Sequence, residues 1–465
     1  MTLSIDSTTS PFSDHDFSEL AARTAGRVLG RNSAGYDAAT AGYNLAALRR
    51  PDLVVLAADA ADVVAAVQFA AERSMPVAVM STGHHAARPI EGGMLIVTRA
   101  LDHVNVDTEA RRAQIGAGAV WADVLAKTLP VGLAPLHGSS PQVGVVGFSL
   151  GGGISPTFGR ARGWAVDHVT ALRVVVADGS LLEVSAHEHA DLFWALRGGR
   201  SNIGIVTAIE VELFPVGTFT GGGLFFDGAD AERVLEAYRV LTENAPDELT
   251  TSVALLRMPP LPGIPELLAG RFVVHLRVAF LGSVEAADDL LAGIRRAAPV
   301  RLDTVGELPY EQFASIHSDP VDPAPFTERT TFLRALDADA VQAVLAVAGP
   351  GADPGVEIVE LRHLGGALSR EVPSPGALTG DDAAFVLWTV AVGMPSERSD
   401  AIQNAEHIVE AMRPWSTGRQ YLNFTPDVDG SPAENLFAPD ALARLREIKH
   451  SVDPQNLFRL QQPLI

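Results

Sequence analysis

The chain has no cysteine in its 465 residues. That absence excludes disulfides, thiolate-held metals, iron–sulfur clusters, a cysteine nucleophile and any thioether to a cofactor. Positive charge is scarce too: 35 Lys and Arg stand against 56 Asp and Glu, a net charge of −21. Nucleic acid and anionic membrane surfaces need clustered basic residues, so neither is an expected partner. No apolar run reaches the roughly 18 residues of a membrane span. The first ten residues lack the basic region and apolar core of a signal peptide, and the expected location is the cytoplasm. What remains is an ordinary globular balance, 47% hydrophobic and 20% charged. The length suits about three conventional domains, or two large ones sharing a core. No apolar helix face or strand edge identifies an oligomeric interface.

From Leu53 onward, strand-like and helix-like pieces alternate. Leu53–Leu56, Val77–Met80, Met94–Val97, Val104–Val106 and Gln114–Gly116 read as strands. Ala60–Glu72 and Trp121–Leu129 read as helices. Asp178-Gly179 between Val169–Val176 and Ser180–Val184 is a hairpin signal. A short helix over Asp191–Leu196 stops at Gly198-Gly199, before a strand Ile203–Leu213. A second unit starts at Thr218, with helices Ala231–Glu243 and Glu285–Ala297 and strands Thr251–Met258, Arg271–Phe280, Val356–Leu364 and Phe385–Val392. In Arg271–Phe280, Phe272, Val274, Leu276, Val278 and Phe280 share one face, while His275 and Arg277 stand on the other. That mixed face is either solvated or the roof of a ligand site. The tail from Gly418 carries one strand-like piece and a helix Pro439–His450. Hairpins mixed with helical connections predict an α+β fold.

Two stretches carry chemistry. Val77-Ala-Val-Met-Ser-Thr-Gly-His-His85 is an apolar strand running into a glycine turn with two histidines. It is either a plain strand end or a nest of amides for a diphosphate, with His84 against a flavin ring. A metal at His84 and His85 is not expected, since adjacent side chains diverge and no ligand stands at helical chelate spacing. Residues 136–153 hold six glycines in eighteen positions. No Gly-x-Gly-x-x-Gly opens a helix there, and no Gly-Lys-Ser/Thr ends a phosphate loop. Gly147-Phe-Ser149-Leu-Gly151 matches the nucleophile elbow of serine hydrolases, but Gly151-Gly-Gly-Ile-Ser-Pro156 is a poor helix start where that motif requires a helix.

Taken in order, the motifs resemble those of the FAD-linked oxidases of the vanillyl-alcohol-oxidase (PCMH-type) superfamily, in its berberine-bridge-enzyme-like branch. The resemblance rests on Val79-Met-Ser-Thr-Gly-His84, on Gly138-Ser-Ser-Pro-Gln-Val-Gly144 running into Leu150-Gly-Gly-Gly153, and on Asp191-Leu-Phe-Trp-Ala-Leu-Arg-Gly-Gly199 with Asn202-Ile-Gly-Ile-Val-Thr207. Tyr421-Leu-Asn-Phe424 and the terminal Asp453-Pro-Gln-Asn-Leu-Phe-Arg-Leu460 complete it. It implies a two-part FAD-binding domain over residues 1–217 (core about 47–217) and a substrate domain over 218–416, an antiparallel sheet backed by helices. Residues 417–465 would return to the FAD domain. It implies FAD bonded through His84, with Ser140 where many members carry a second, cysteinyl link. The implied cofactor-binding set is Met80, Ser81, Thr82, Gly83, His84, His85, Gly138, Ser139, Ser140, Val143, Gly144, Gly147, Gly151, Gly152, Gly153, Gly204, Ile205, Val206, Tyr421 and Asn423. Met80 and Thr82 depart from the family's Arg-Ser-Gly-Gly-His loop, which removes a positive charge.

The catalytic candidates are Tyr421, Glu360 and His363. Tyr421 is either a core aromatic with a satisfied hydroxyl or a base over the flavin. Glu360, sharing a strand face with Ile358, Arg362 and Leu364, is either ion-paired with a neighbour such as Arg362 or a base of raised pKa. His363 and His137 are weaker candidates. The expected function is an FAD-dependent oxidoreductase that takes hydride from a small alcohol, sugar or secondary metabolite and uses molecular oxygen. An oxygenase of bacterial secondary metabolism is the alternative, and a serine hydrolase acting through Ser149 the reading from another class.

Overall fold

A computed structural model of the chain describes residues 14–84, 89–378, 382–425 and 433–460. The first layer has four short strands, β1 (Arg27–Gly30), β2 (Leu53–Leu56), β3 (Val77–Met80) and β4 (Met94–Val97), in the order β1-β2-β4-β3. β4 runs parallel to both neighbours and is covered on both faces, so Met94-Leu-Ile-Val97 is continuously apolar rather than alternating. Helix α1 (Ala60–Glu72) packs against this sheet. Asp59 caps it by accepting the Asp62 amide, and Val63, Ala66, Val67 and Ala70 turn inward at helical spacing. The Asp62 carboxylate accepts the amides of Ala25, Gly26 and Ala58, fastening the first turn to the start of β1.

The second layer is antiparallel: β5 (Val104–Asp107), β6 (Arg112–Gly116), β7 (Val169–Val175), β8 (Leu181–Ser185) and β9 (Ile205–Glu212), ordered β8-β7-β9-β6-β5. The Asp178-Gly179 hairpin joins β7 to β8, with Gly179 at φ 83°. Helices α2 (Trp121–Thr128), α3 (Val145–Leu150) and α4 (Ala190–Gly199) pack on it. α3 was not expected, because its own glycine and β-branched residues disfavour helix; burial of Val145 and Leu150 in the second core overrides that propensity. α4 loses helical geometry at Arg197 and Gly198, where the glycine pair predicts a stop.

The large sheet follows, built from β10 (Thr218–Asp227), β11 (Leu249–Arg257), β12 (Phe272–Phe280), β13 (Val300–Asp303), β14 (Gly306–Pro309), β15 (Phe326–Leu333), β16 (Ile358–His363) and β17 (Phe385–Val392). Its order is β13-β10-β12-β11-β16-β17-β15, with β14 also on β10, and every pairing is antiparallel. Helices α5 (Ala231–Glu243), α6 (Val284–Ala297), α7 (Ala338–Ala348) and α8 (Ser399–Ala411) cover one face. Val274, Leu276 and Val278 point into that core, as the alternation predicts. The opposite face is not solvated, for His275 and Arg277 are only 4% and 5% exposed. β15 escaped the sequence reading because Thr327-Glu-Arg-Thr-Thr331 lacks an apolar pattern, both of its faces being lined by polar partners.

In the tail, the described residues form short turns and α9 (Pro439–Val452), with no strand where a strand-like piece was expected. Asp453 organises the end of the chain. It accepts the buried Lys449 ammonium at 2.5 Å and the amides of Leu457 and Phe458 at 2.7 and 2.9 Å. Leu457 and Phe458 sink into the first sheet's core, and the Leu457 carbonyl accepts the Val77 amide at the start of β3. Among the described residues, no helix is long and apolar enough to cross a membrane, and no three His, Asp or Glu stand where they would hold a metal.

Candidate active site

A cavity of about 480 Å³ lies between the two smaller sheets and the helix-free face of the large one, within the roughly 300–1,000 Å³ of small-molecule and cofactor sites. The turn after β3 forms one wall. The Thr82 and Gly83 carbonyls accept the Tyr43 and Asn44 amides at 2.9 and 3.1 Å, which ties the turn to the 43–44 segment. The His84 ring stacks on Tyr43 at 3.8 Å and 9°, and its Nδ1 stands 3.0 Å from the Thr82 hydroxyl. Its Nε2 is buried without a hydrogen-bond partner among the described residues. Burial pushes the imidazole down to about 4, so the ring is neutral and its nitrogen lone pair available at neutral pH.

Met80, Ser81, Thr82, Gly83, His84, Gly138, Ser139, Ser140, Val143, Gly144, Gly147, Gly204, Val206, Tyr421 and Asn423 all line this cavity. Ile205, Gly151, Gly152 and Gly153 do not. His85 falls outside the described residues. A cavity lined by glycines and short hydroxyl side chains, with an imidazole nitrogen that has no partner among the described residues, fits a cofactor such as FAD.

Also on the cavity, the Tyr421 hydroxyl accepts the Ile154 amide and the Asn423 side-chain amide, each at 3.0 Å. Asn423 is itself held, donating to the Phe148 carbonyl at 3.0 Å and accepting from the Arg200 guanidinium. Burial pushes the Tyr421 phenol up, while the Ile154 amide, Asn423, Arg362 and Arg200 each pull it back. Beyond it, Trp388 and Phe424 stack at 4.6 Å and 22°, with the Arg362 guanidinium 5.3 and 4.9 Å from their ring centres. The Glu328 carboxylate accepts the Trp388 indole N–H at 2.9 Å.

Three expectations are corrected. Glu360 is 0% exposed and lies off the cavity, enclosed by Arg277 and Ser252 at 2.6 Å and Arg362 at 3.0 Å. Burial pushes its carboxyl up, but Arg362 and Arg277, with His317 and the Ser252 hydroxyl, outweigh burial and hold it well below the carboxylate range. It is a structural anion, not a base of raised pKa. His363 also lies off the cavity: the Arg160 guanidinium donates to its Nε2 at 3.1 Å, and burial followed by Arg160 pushes it down to about 3. Ser149 is fully buried in the last turn of α3, its Oγ without a hydrogen-bond partner among the described residues. No strand leads into that turn, so it is not a nucleophile elbow. His137 is a core histidine bonded to the Tyr310 hydroxyl at 2.7 Å.

Tyr43, Arg49, Arg200, Glu328, Trp388 and Phe424 also line the cavity without being site candidates in the sequence, and Arg362 lines it as well as pairing with Glu360. Arg49 bears on the charge absent from the His84 turn. Its guanidinium lies against Gly42 and 3.3 Å from where a Cβ on Gly83 would stand, and burial, then Arg99, push it down to about 10. It brings positive charge to the turn from a different strand. No local motif announces such a residue; only the fold brings it there.

Residues 51–185 match the family described as FAD binding domain, and residues 420–465 the family described as berberine and berberine like. The chain is 24% identical over 447 residues to (R)-6-hydroxynicotine oxidase of Paenarthrobacter nicotinovorans, covering 93% of this chain and 95% of that protein. It is 26% identical over 495 residues to the FAD-linked oxidoreductase pgmH of Aspergillus terreus, covering 98% and 97%. The fold superposes on BBE-like 1 of Physcomitrella patens with a TM-score of 0.84 at 21% identity, covering 97% and 99%. Both family segments and the full-length relatives agree: the chain carries an FAD binding domain and a berberine-like segment, and it is an FAD-dependent oxidoreductase.

Proposed function

We propose that the protein is an oxygen-using oxidase that removes hydride from a small, flat organic alcohol or amine, with His84 as the flavin's covalent anchor and Tyr421 as the proton acceptor. Tyr421 carries this reading: it lines the cavity, and against the burial that raises its phenol, two N–H donors and nearby arginines act to favour negative charge on its oxygen. Bound FAD supplies hydride acceptance and delivery of the electrons to oxygen. Tyr421 Oη takes the substrate's O–H or N–H proton. The Trp388–Phe424 stack supports a planar group, and Arg362 orients any electron-rich edge on it. Supporting His84 as the anchor are its neutral ring, its Tyr43 stack and an Nε2 with no hydrogen-bond partner among the described residues. Ser140 stands on the same cavity without the sulfur a second link requires.

Anaerobic mixing with a panel of aromatic and aliphatic alcohols and amines tests this. At least one aromatic member should bleach the visible flavin absorbance, and air should restore it with formation of peroxide. A flavin that no panel member bleaches, or that stays reduced in air, contradicts the proposal.

A further inference from the structure

One cation at the site has no role in the scheme above. Arg200 adopts φ 52°, ψ −136°, a backbone region open to glycine and strained for any other residue. Its guanidinium reaches the cavity and donates to the Asn423 carbonyl oxygen, while its Nε is buried without a hydrogen-bond partner among the described residues. Burial pushes it down to about 10, and Tyr421 pulls it back up. Position 151 accommodates it: a Cβ there would collide with both the Arg200 guanidinium and Asn423 Oδ1. Strain at one residue and a missing side chain at another thus serve the same placement.

We propose that Arg200 is a positioning residue for Tyr421, acting through Asn423 to aim the hydroxyl and favour its phenolate form. This rests on the reading of Tyr421 as proton acceptor. The amide of Asn423 has two ends. With its oxygen held by Arg200, its NH2 must face the Tyr421 oxygen and the Phe148 carbonyl. The hydroxyl then accepts from Asn423 and Ile154, and its own proton points to the cavity. The other groups packed around the phenol leave few competing charges. The 150s loop offers the Ile154 amide, while Trp164, β15's Phe332 and Phe424 offer only rings. From β16, Arg362 is the second cation acting on it. Arg200 is the one of the two linked to Tyr421 by hydrogen bonds.

The test compares the holoenzyme with Arg200→Gly, which suits the backbone there, and Arg200→Lys. The pH profile of kcat/KM and a near-ultraviolet phenolate titration are recorded for each, with Tyr421→Phe as the blank among only 5 tyrosines. Arg200→Gly should move the acidic limb and the Tyr421 titration up by about one pH unit, Arg200→Lys should restore part of that, and Arg200→Gly should melt no lower than the parent. An unchanged Tyr421 titration in Arg200→Gly overturns the inference. If the titration moves but Tyr421→Phe keeps full activity, the coupling stands and the reading of Tyr421 as proton acceptor fails instead.

Discussion

Tyr421→Phe is expected to lower kcat by about 10²–10⁴-fold, the usual contribution of a positioned general base, while flavin content and KM stay close to the parent. The ring is 3% exposed and packed by Trp164, Phe332 and Phe424, so phenylalanine keeps the packing and removes only the oxygen. The loss should sit in the reductive step, seen as slower bleaching under anaerobic single-turnover conditions. Reoxidation by oxygen should be unaffected. A variant that bleaches at the parental rate removes Tyr421 from the chemistry.

Glu360→Ala should produce the largest loss of stability. It deletes a fully buried carboxylate and leaves Arg277 and Arg362 facing each other without compensation. Breaking a buried ion pair from one side costs about 3–5 kcal/mol. For a domain of this size that lowers the melting midpoint by about 6–20 °C. The pH dependence follows from the depressed carboxyl. A folded-state pKa held below the ordinary 4.5 means the unfolded chain binds the proton more readily. The stabilisation is therefore complete above about 4.5 and is lost as pH falls towards the folded value. Scanning calorimetry from neutral to acid pH should show the parent's advantage over Glu360→Ala shrinking below that point. Equal midpoints at neutral pH would show that the anion does not hold the sheet together.

These two residues show what the sequence can and cannot disclose. Tyr421 was legible because it sits in a short motif with Asn423, and those two residues make their contact two positions apart. Glu360 was legible only as an acid among apolar neighbours. Deciding between a base and an ion pair required Arg277, which arrives from β12, 83 positions away. The His84 turn and the glycine-rich wall were read from local composition, which suffices where backbone and small side chains form the surface. Arg49, Arg200, Glu328 and Trp388 reach the cavity through long-range pairing, and no periodicity or spacing connects them. Arg200 shows this most clearly. In sequence it merely follows Gly198-Gly199, and only its backbone angles and its bond to Asn423 give it meaning. Ser149 shows the converse, a five-residue motif matched by composition and emptied by burial inside a short helix.

The most direct measurement is acid precipitation of purified parent protein and of His84→Ala. A yellow pellet from the parent, with the colour lost from the pellet of the variant, is the predicted result: one covalent flavin, carried by His84. A colourless parental pellet with free FAD in the supernatant, or a pellet that stays yellow without His84, would contradict it.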